Sequence, residues 1–153
     1  MLTFIAGLAA LVAGSTITEF PGGTIEIPPV CSAPAQIEWM HDVFLGSIKC
    51  PKDGLTIVLW GDPLYGPDPC KTSPDMLGLP SRSDFYRIPL SGGDSLTVCT
   101  RERKSSRPGG LIEEMIVDLG PAPLVAQIKT PRQAYLLLQI AMSFRSVRAG
   151  GLQ

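Results

Sequence analysis

The sequence predicts an α+β fold in which two helices pack on a small mixed or antiparallel sheet of about five strands. Two segments carry apolar residues at helical spacing, and several short apolar or alternating runs lie between them. The chain contains 16 glycines and 15 prolines, which indicate turns and loops between these runs. The predicted order is β-α-β-β-β-β-α. With 153 residues, 44% of them hydrophobic and 18% charged, the chain has room for one globular core and is not a disordered polypeptide.

The first three predicted elements are a strand, a helix and a strand. Residues 24–30 alternate and stop at two prolines, which is typical of a short edge strand. Ser32 can cap a helix over about 33–48 that Pro34 helps to start. Its core face would consist of Ile37, Met40, His41, Phe44 and Ile48. Residues 55–60 are apolar throughout, which predicts a central strand.

The predicted second half begins with a long loop at residues 61–83, which is rich in Pro, Gly and Asp. Strands at 85–90 and 95–100 follow, joined by the hairpin sequence Ser-Gly-Gly-Asp. After a basic connection, residues 111–119 form another predicted strand.

The last predicted element is a helix that Thr130 caps and that ends before Gly150. Pro131 suits its first position, because proline has no amide hydrogen to lose there. Apolar residues cover most of its circumference, so we expect it to be largely buried. They include Leu136, Leu137, Ile140, Ala141, Phe144 and Val147.

The uncharged start of the chain predicts a signal peptide at residues 1–14, followed by one domain at 15–153. The apolar stretch is shorter than the roughly 20 residues that a membrane-spanning helix needs. Small residues at Ala13 and Gly14 favour cleavage before Ser15 and a secreted, extracellular protein. Two alternatives stay open: an uncleaved anchor, or a buried segment of a cytosolic or virion protein.

Four cysteines in an exported domain predict two disulfides. The predicted helix would separate Cys31 from Cys50 by roughly 24 Å, whereas a disulfide needs Cα atoms within about 7 Å. This disfavours the Cys31–Cys50 pair. It leaves Cys31–Cys99 with Cys50–Cys70, or Cys31–Cys70 with Cys50–Cys99.

Charge is unevenly distributed along the chain. Residues 1–100 carry 5 basic and 10 acidic side chains, and residues 101–153 carry 8 basic and 4 acidic ones. Such a dipole could orient a partner or draw two parts of the domain together. The net charge of −1 gives no strong signal for nucleic-acid binding, and no membrane contact is expected once the leader is removed.

Catalysis near neutral pH would depend on His41, the only histidine. With Glu113 or Glu114 it could serve a small ribonuclease-like hydrolase, although on the predicted helix His41 faces the core. The sequence contains no nucleophile-elbow serine motif, P-loop or paired-histidine metal motif. We therefore expect no cofactor and no metal, and an enzyme is the less favoured class.

Candidate contacts for a partner are aromatic and basic. Trp39 lies roughly 160° around the predicted helix from its core face, where it would pack under the long loop or meet a partner. Tyr65 lies within that loop. A basic connection at 101–107 could bind anionic surfaces or phosphate groups, or could be a site of proteolytic processing. The alternative is a solvated loop that protects the sheet edges. Its basic residues are Arg101, Arg103, Lys104 and Arg107.

In its layout the chain resembles the secreted cysteine-containing effector and toxin-like proteins of fungi. The shared features are a leader, an even number of cysteines and a small domain. The resemblance covers the layout of the chain, and it implies a protein that binds a protein or cell-surface partner outside the cell. The alternatives are the ribonuclease-like hydrolase and a virion or envelope component that retains its N-terminal segment.

Overall fold

Strands make up most of the part of the chain that the structure, a computed structural model, describes. The described residues are 14–33, 37–40, 43–61, 86–104 and 107–147, and for 38–40, 43, 101–104 and 111 only the backbone is described. Within them the strands are Thr16–Phe20 (β1), Gly23–Ile27 (β2), Glu38–Met40 (β3), Val43–Cys50 (β4), Leu55–Gly61 (β5), Tyr86–Pro89 (β6), Ser95–Lys104 (β7), Leu111–Asp118 (β8), Pro123–Gln127 (β9) and Arg145–Ser146 (β10). A 3₁₀ turn spans Pro51–Asp53, and the helix α1 spans Pro131–Met142.

Seven strands form a large antiparallel sheet in the order β3-β4-β5-β9-β8-β7-β6. Side chains alternate between its two faces, as the pleat requires. In β5, Leu55, Ile57 and Leu59 are buried on one face, while Thr56 and Trp60 are exposed on the other. This alternation sets the inner face of the sheet.

A smaller antiparallel sheet has the order β1-β2-β10. Ser146 in β10 donates from its hydroxyl to Asp94 Oδ1 over 3.0 Å, which ties this sheet to the turn between β6 and β7. Ser143, just after α1, accepts a hydrogen bond from Glu26 N over 2.7 Å. Both ends of the connection from α1 to β10 are thus fixed to other elements.

The main hydrophobic core is formed by the inner face of the large sheet together with side chains of the small sheet and of α1. Phe20 contributes from β1, with its ring centroid 6.3 Å from that of Phe44 and 6.0 Å from that of Phe144. On the other face of the large sheet, Cys99 and Ile116 form a second buried cluster with Val125 packed against them.

The predicted α+β fold is wrong, because the described chain is mainly strand and contains one helix. The error starts at the predicted helix over about 33–48, where β3 and β4 lie instead. Phe44 and Ile48 are four residues apart, a spacing that puts two side chains on one face of either a helix or a strand. Gly46 between them is also buried, but its missing side chain hid the alternation.

Most other predicted strands are confirmed. Residues 55–60 form the internal strand β5, and 111–119 contains β8. The hairpin predicted over 85–100 exists as β6 and β7, although β7 continues to Lys104. The strand predicted at 24–30 exists as β2, but it lies in the middle of its sheet and not at an edge. The sequence predicted neither β1 nor β9.

The last helix begins as predicted, with Thr130 as its N-cap and Pro131 in its first turn. It ends earlier than predicted, at Met142, because the chain turns into β10. Phe144 is still buried, whereas Val147 is 56% exposed and not part of the core.

The disfavoured pair Cys31–Cys50 is in fact bonded, with Cα atoms 4.1 Å apart. No helix separates the two cysteines; Ser32 N donates to Lys49 O over 2.7 Å, and this isolated bridge holds them side by side. Both predicted alternatives are therefore wrong. Cys99 is disulfide-bonded as well. Cys70, the predicted leader up to residue 13 and most of the predicted long loop lie outside the described residues.

Candidate interaction surface

One end of the large sheet collects the ends of five neighbouring strands. β4 ends there at Cys50, beside the start of β5 at Leu55. β9 ends at Gln127, which lies opposite Glu114 of β8, and Glu114 in turn lies opposite Arg101 of β7. Adjacent strands are about 4.8 Å apart, so four steps from β4 to β7 span roughly 19 Å.

At this end β7 and β8 extend past their neighbours as a two-stranded arm. β6 begins opposite Val98, and β9 ends opposite Glu114, yet β7 and β8 continue to pair as far as Lys104 and Leu111. The three register pairs beyond Glu114 extend the ribbon by about 10 Å at 3.3 Å per residue. We call residues 101–104 and 107–113 the arm.

Basic residues concentrate at this end of the sheet, which we call the basic end. Of the ten lysines and arginines in the described residues, only Arg87 and Arg145 lie elsewhere. The basic end contains Lys49, Lys52, Arg101, Arg103, Lys104, Arg107, Lys129 and Arg132. Its acidic residues within the described chain are Asp53, Glu102, Glu113 and Glu114. Cations therefore outnumber carboxylates two to one there.

Acidic residues occupy the opposite end of the large sheet. Glu38 lies there in β3, Asp118 ends β8, and Asp94 precedes β7. Among the described residues, charge is therefore uneven along the strand direction. It does not follow the division predicted between residues 1–100 and 101–153, because Lys49 and Lys52 lie at the basic end and Asp118 at the opposite one. Such a field orients a charged partner before contact.

The side chains around the start of α1 are held by specific contacts. Arg132 Nε lies 3.5 Å from Asp53 Oδ1. The Arg132 guanidinium also lies over the ring of Tyr135, 5.7 Å from its centroid. Because Asp53 is thereby paired, the exposed Lys52 and Lys129 beside it add net positive charge.

The helix itself adds to this field. The N-terminus of α1 points to the basic end, and a helix N-terminus carries about half a positive charge. Thr130 Oγ1 accepts from Gln133 N and the Gln133 side chain accepts from Thr130 N, so these two amides are already engaged. The helix dipole adds to the positive potential of the basic end.

The arm accounts for four of the residues predicted as contacts. Arg101 lies opposite Glu114, Arg103 opposite Ile112 and Lys104 opposite Leu111. Arg107 is exposed in the connection that follows. The predicted basic loop at 101–107 is therefore partly strand, because residues 101–104 belong to β7 and pair with β8.

The other predicted contacts are separate from the arm. Trp39 lies in β3 with its backbone opposite Phe44, and not on a helix. Tyr65 lies outside the described residues. The tryptophan whose side chain the structure describes is Trp60, which is 36% exposed and lies opposite Leu45, far from the basic end.

The candidate catalytic carboxylates lie in β8. Glu113 and Glu114 are consecutive there and so point to opposite faces of the sheet. Glu113 is exposed and Glu114 is buried. His41 lies outside the described residues.

Lys49, Lys52, Lys129 and Arg132 were not singled out from the sequence. They come from two short stretches about 80 residues apart, each next to the boundary of an apolar element. Only the antiparallel pairing of β5 with β9 puts those stretches at one end of the sheet. These four residues could therefore have been identified only from a correct prediction of the strand order.

The described residues contain no helix long and apolar enough to cross a membrane. They also contain no cluster of three or more histidine, cysteine or acidic residues arranged to hold a metal ion. Comparisons with protein-family models, with curated proteins and with solved structures find no match.

Proposed function

We propose that this protein is a secreted, disulfide-stabilised binding protein that contacts an anionic extracellular or host partner through its basic end. The observation that carries the proposal is the gathering of eight basic residues at one end of the large sheet. They come from three separate stretches of chain, so their convergence is a property of the fold. Long-range attraction by such a patch raises the rate of association with an anionic surface.

The shape of this end favours binding over catalysis. The backbone of the arm extends about 10 Å beyond the neighbouring strands, and the connection at its tip carries the exposed Arg107. Arg132, Lys129 and Lys52 surround a rigid base formed by the 3₁₀ turn and the start of α1. A rigid base with a projecting arm presents charge to a surface without enclosing a small substrate.

The position of the first strand is consistent with removal of a leader and export of the protein. Gly14 is exposed, and the first strand begins at Thr16. Cleavage before Ser15 would therefore leave β1 intact. The disulfide between Cys31 and Cys50 holds the turn that carries Lys52, which suits a protein that works in an oxidising environment.

The test uses the protein recovered from the medium of cells that express the full chain with its own leader. Binding of the secreted protein is measured against polyglutamate, heparin and vesicles that contain phosphatidylserine. The variant R103Q/K129Q removes two cations from the basic end, and R87Q/R145Q removes two cations elsewhere. Both variants change the net charge equally.

We expect the secreted protein to bind at least one of these probes, with an affinity that falls as salt is added. R103Q/K129Q should weaken that binding roughly tenfold, and R87Q/R145Q should leave it within about twofold. Equal losses for the two variants would show that total charge, and not the basic end, drives binding. Retention of the chain inside the cell, or binding of none of the probes, would overturn the proposed function.

A further inference from the structure

We propose that two copies of this chain associate by antiparallel pairing of their β1 strands, which joins the two small sheets into one continuous sheet. This association involves a different surface from the basic end and does not rest on the proposed function. Three features of β1 support it: a free edge, an exposed apolar side chain at its centre, and a sequence that is complementary to itself.

One edge of β1 is free within the described chain. β1 is the first strand in the order β1-β2-β10, and no described residue pairs with its other side. Ile17 is 70% exposed, which makes it the most exposed of the large hydrophobic residues that the structure describes. Thr16 and Glu19 are exposed as well. An edge strand presents a row of unpaired backbone amides and carbonyls, and such a row can pair with another strand.

The backbone groups of β2 show which residues of that strand bond to β1. Gly22 O accepts from Val147 N over 3.0 Å, on the side where β10 lies. Glu26 also directs its backbone away from β1, because its amide donates to Ser143 Oγ over 2.7 Å and its carbonyl accepts from the same hydroxyl over 3.4 Å. Successive residues of an antiparallel strand bond to opposite sides. Residues 23, 25 and 27 therefore direct their amides and carbonyls to β1.

This alternation determines which backbone groups of β1 lie at the free edge. Residues 23, 25 and 27 lie opposite residues 20, 18 and 16 of β1. Those three residues of β1 bond to β2, so the amides and carbonyls of Ile17 and Glu19 point away from it. A second strand can therefore bond to β1 without disturbing the pairing of β1 with β2.

A two-fold axis at Ile17 gives a long pairing of two such edges. A two-fold interface uses the same surface of both copies. In antiparallel pairing about this axis, Ile17 lies opposite Ile17 of the second copy, and Glu19 lies opposite Ser15 of the second copy. Ser15, Ile17 and Glu19 are alternate residues, so their backbone groups all point to the interface. This register allows about six hydrogen bonds, two for each of three residue pairs.

The side chains also match in this register. The two Ile17 side chains lie opposite each other, so each covers apolar surface that the other leaves exposed. Thr16 lies opposite Thr18 of the second copy, and cross-strand threonine pairs are favourable. Glu19 faces a serine and not a second carboxylate. A second copy of β1 is therefore a complementary partner for this edge.

Other two-fold registers fit less well. An axis at Thr18 would set each Ile17 against Glu19 and would place Pro21 in the ladder. Proline has no amide hydrogen to donate there. An axis at Glu19 would oppose two like charges directly. The register centred on Ile17 avoids both defects.

The association should be weak, because a strand edge of about six residues buries less than the roughly 1,200–2,000 Å² of a stable specific complex. We expect a dimer dissociation constant on the order of 100 μM. Sedimentation equilibrium between about 1 μM and about 1 mM measures it on the purified protein. The average mass should rise towards twice that of the monomer.

The variant I17K tests the centre of the interface. It sets two ammonium groups opposite each other and removes the apolar contact, so it should weaken association about tenfold. V147K is the matched control, because Val147 is also a highly exposed apolar residue, at 56%, and lies after β10 at the other side of β2. It should change association by less than about twofold. Thermal unfolding checks that both variants are folded.

Amide hydrogen exchange locates the interface independently of these variants. The amides of Ile17 and Glu19 should exchange about fivefold more slowly at about 1 mM than at about 1 μM, because pairing shields them from water. The Thr18 amide, which bonds to β2 in the monomer, should change little with concentration.

Several results would overturn the inference. The protein could remain monomeric up to about 1 mM, I17K and V147K could weaken association equally, or dimers could form without slowing exchange at Ile17. If an unrelated extended peptide slows exchange at Ile17 while the protein stays monomeric, the edge belongs to another chain and the pairing of copies is wrong. Neither variant alters the basic end, so the proposed function stands or falls by its own test.

Discussion

The side-chain amide of Gln133 donates to the carbonyl oxygen of Asp53 over 2.8 Å, across 80 residues of sequence. The same side chain accepts hydrogen bonds from Lys129 N over 2.6 Å and from Thr130 N over 3.2 Å. Gln133 is only 5% exposed, so all these bonds are shielded from water. One residue thus joins the start of α1 to the 3₁₀ turn after β4 and fixes the base of the basic end.

Replacing Gln133 with alanine should therefore destabilise the protein strongly. Q133A removes a buried donor and a buried acceptor and leaves the carbonyl of Asp53 and the amide of Lys129 without this partner. We expect a loss of about 2–3 kcal/mol in the free energy of unfolding, measured by urea denaturation. Q139A is the matched control, since Gln139 is exposed on the same helix. Similar values for Q133A and Q139A would show that the bonds to Gln133 contribute little.

A second prediction concerns Gly61, which lies directly opposite Phe44 in the β4–β5 ladder. A Cβ atom on Gly61 would overlap the ring of Phe44, which is buried in the main core. G61A should cost about 1–3 kcal/mol of stability, because the ring must move within a packed core. G92A is the control, because a Cβ at Gly92 meets no atom within 4 Å. If G61A unfolds at the same urea concentration as G92A, the ring of Phe44 adapts without cost.

The sequence predicted those elements whose local signals agree with their tertiary environment. β5 is a plain apolar run, the turn between β6 and β7 has a hairpin sequence, and α1 begins with a cap and a proline. In each case propensity, turn chemistry and packing favour the same structure. The main error was at β4, where the spacing of Phe44 and Ile48 fits two periodicities equally well.

That error also led to the wrong disulfide pairing and to an incomplete prediction of the interaction surface. A helix before Cys50 would hold it far from Cys31, whereas the strand brings the two together. The basic residues of the arm could be named from their run in the sequence. Lys49 and Lys129 could not, because their proximity to the arm depends on the long-range pairing of β5 with β9 and of β9 with β8.

A third prediction fixes the mature N-terminus. When the full chain is expressed with its own leader in a secreting cell, the protein in the medium should begin at Ser15. Gly14 is exposed with a positive φ of 94°, and the strand starts at Thr16, so cleavage there removes nothing from β1. N-terminal sequencing makes the measurement. The control is a leader variant with charged residues in the apolar stretch, which should stay in the cell. A mature protein that still begins at Met1 would instead support the retained anchor.

The fourth prediction is the disulfide map of the secreted protein. The four cysteines fall in different tryptic fragments, because cleavage occurs after Lys49, Lys52, Lys71, Arg87 and Arg101. Without reduction, the fragment of residues 50–52 should be linked to the fragment that ends at residue 49, through Cys50 and Cys31.

The same digest assigns the partner of Cys99. Cys31 and Cys50 bond to each other and Cys99 is disulfide-bonded, so of four cysteines only Cys70 is left to pair with it. Fragments 53–71 and 88–101 should therefore be detected as one disulfide-linked species with their combined mass. As the control, reduction should release the two separate fragments. A link between fragments 50–52 and 53–71 would instead join Cys50 to Cys70. That result would contradict the antiparallel bridge of Ser32 with Lys49, since this bridge is what places Cys31 beside Cys50.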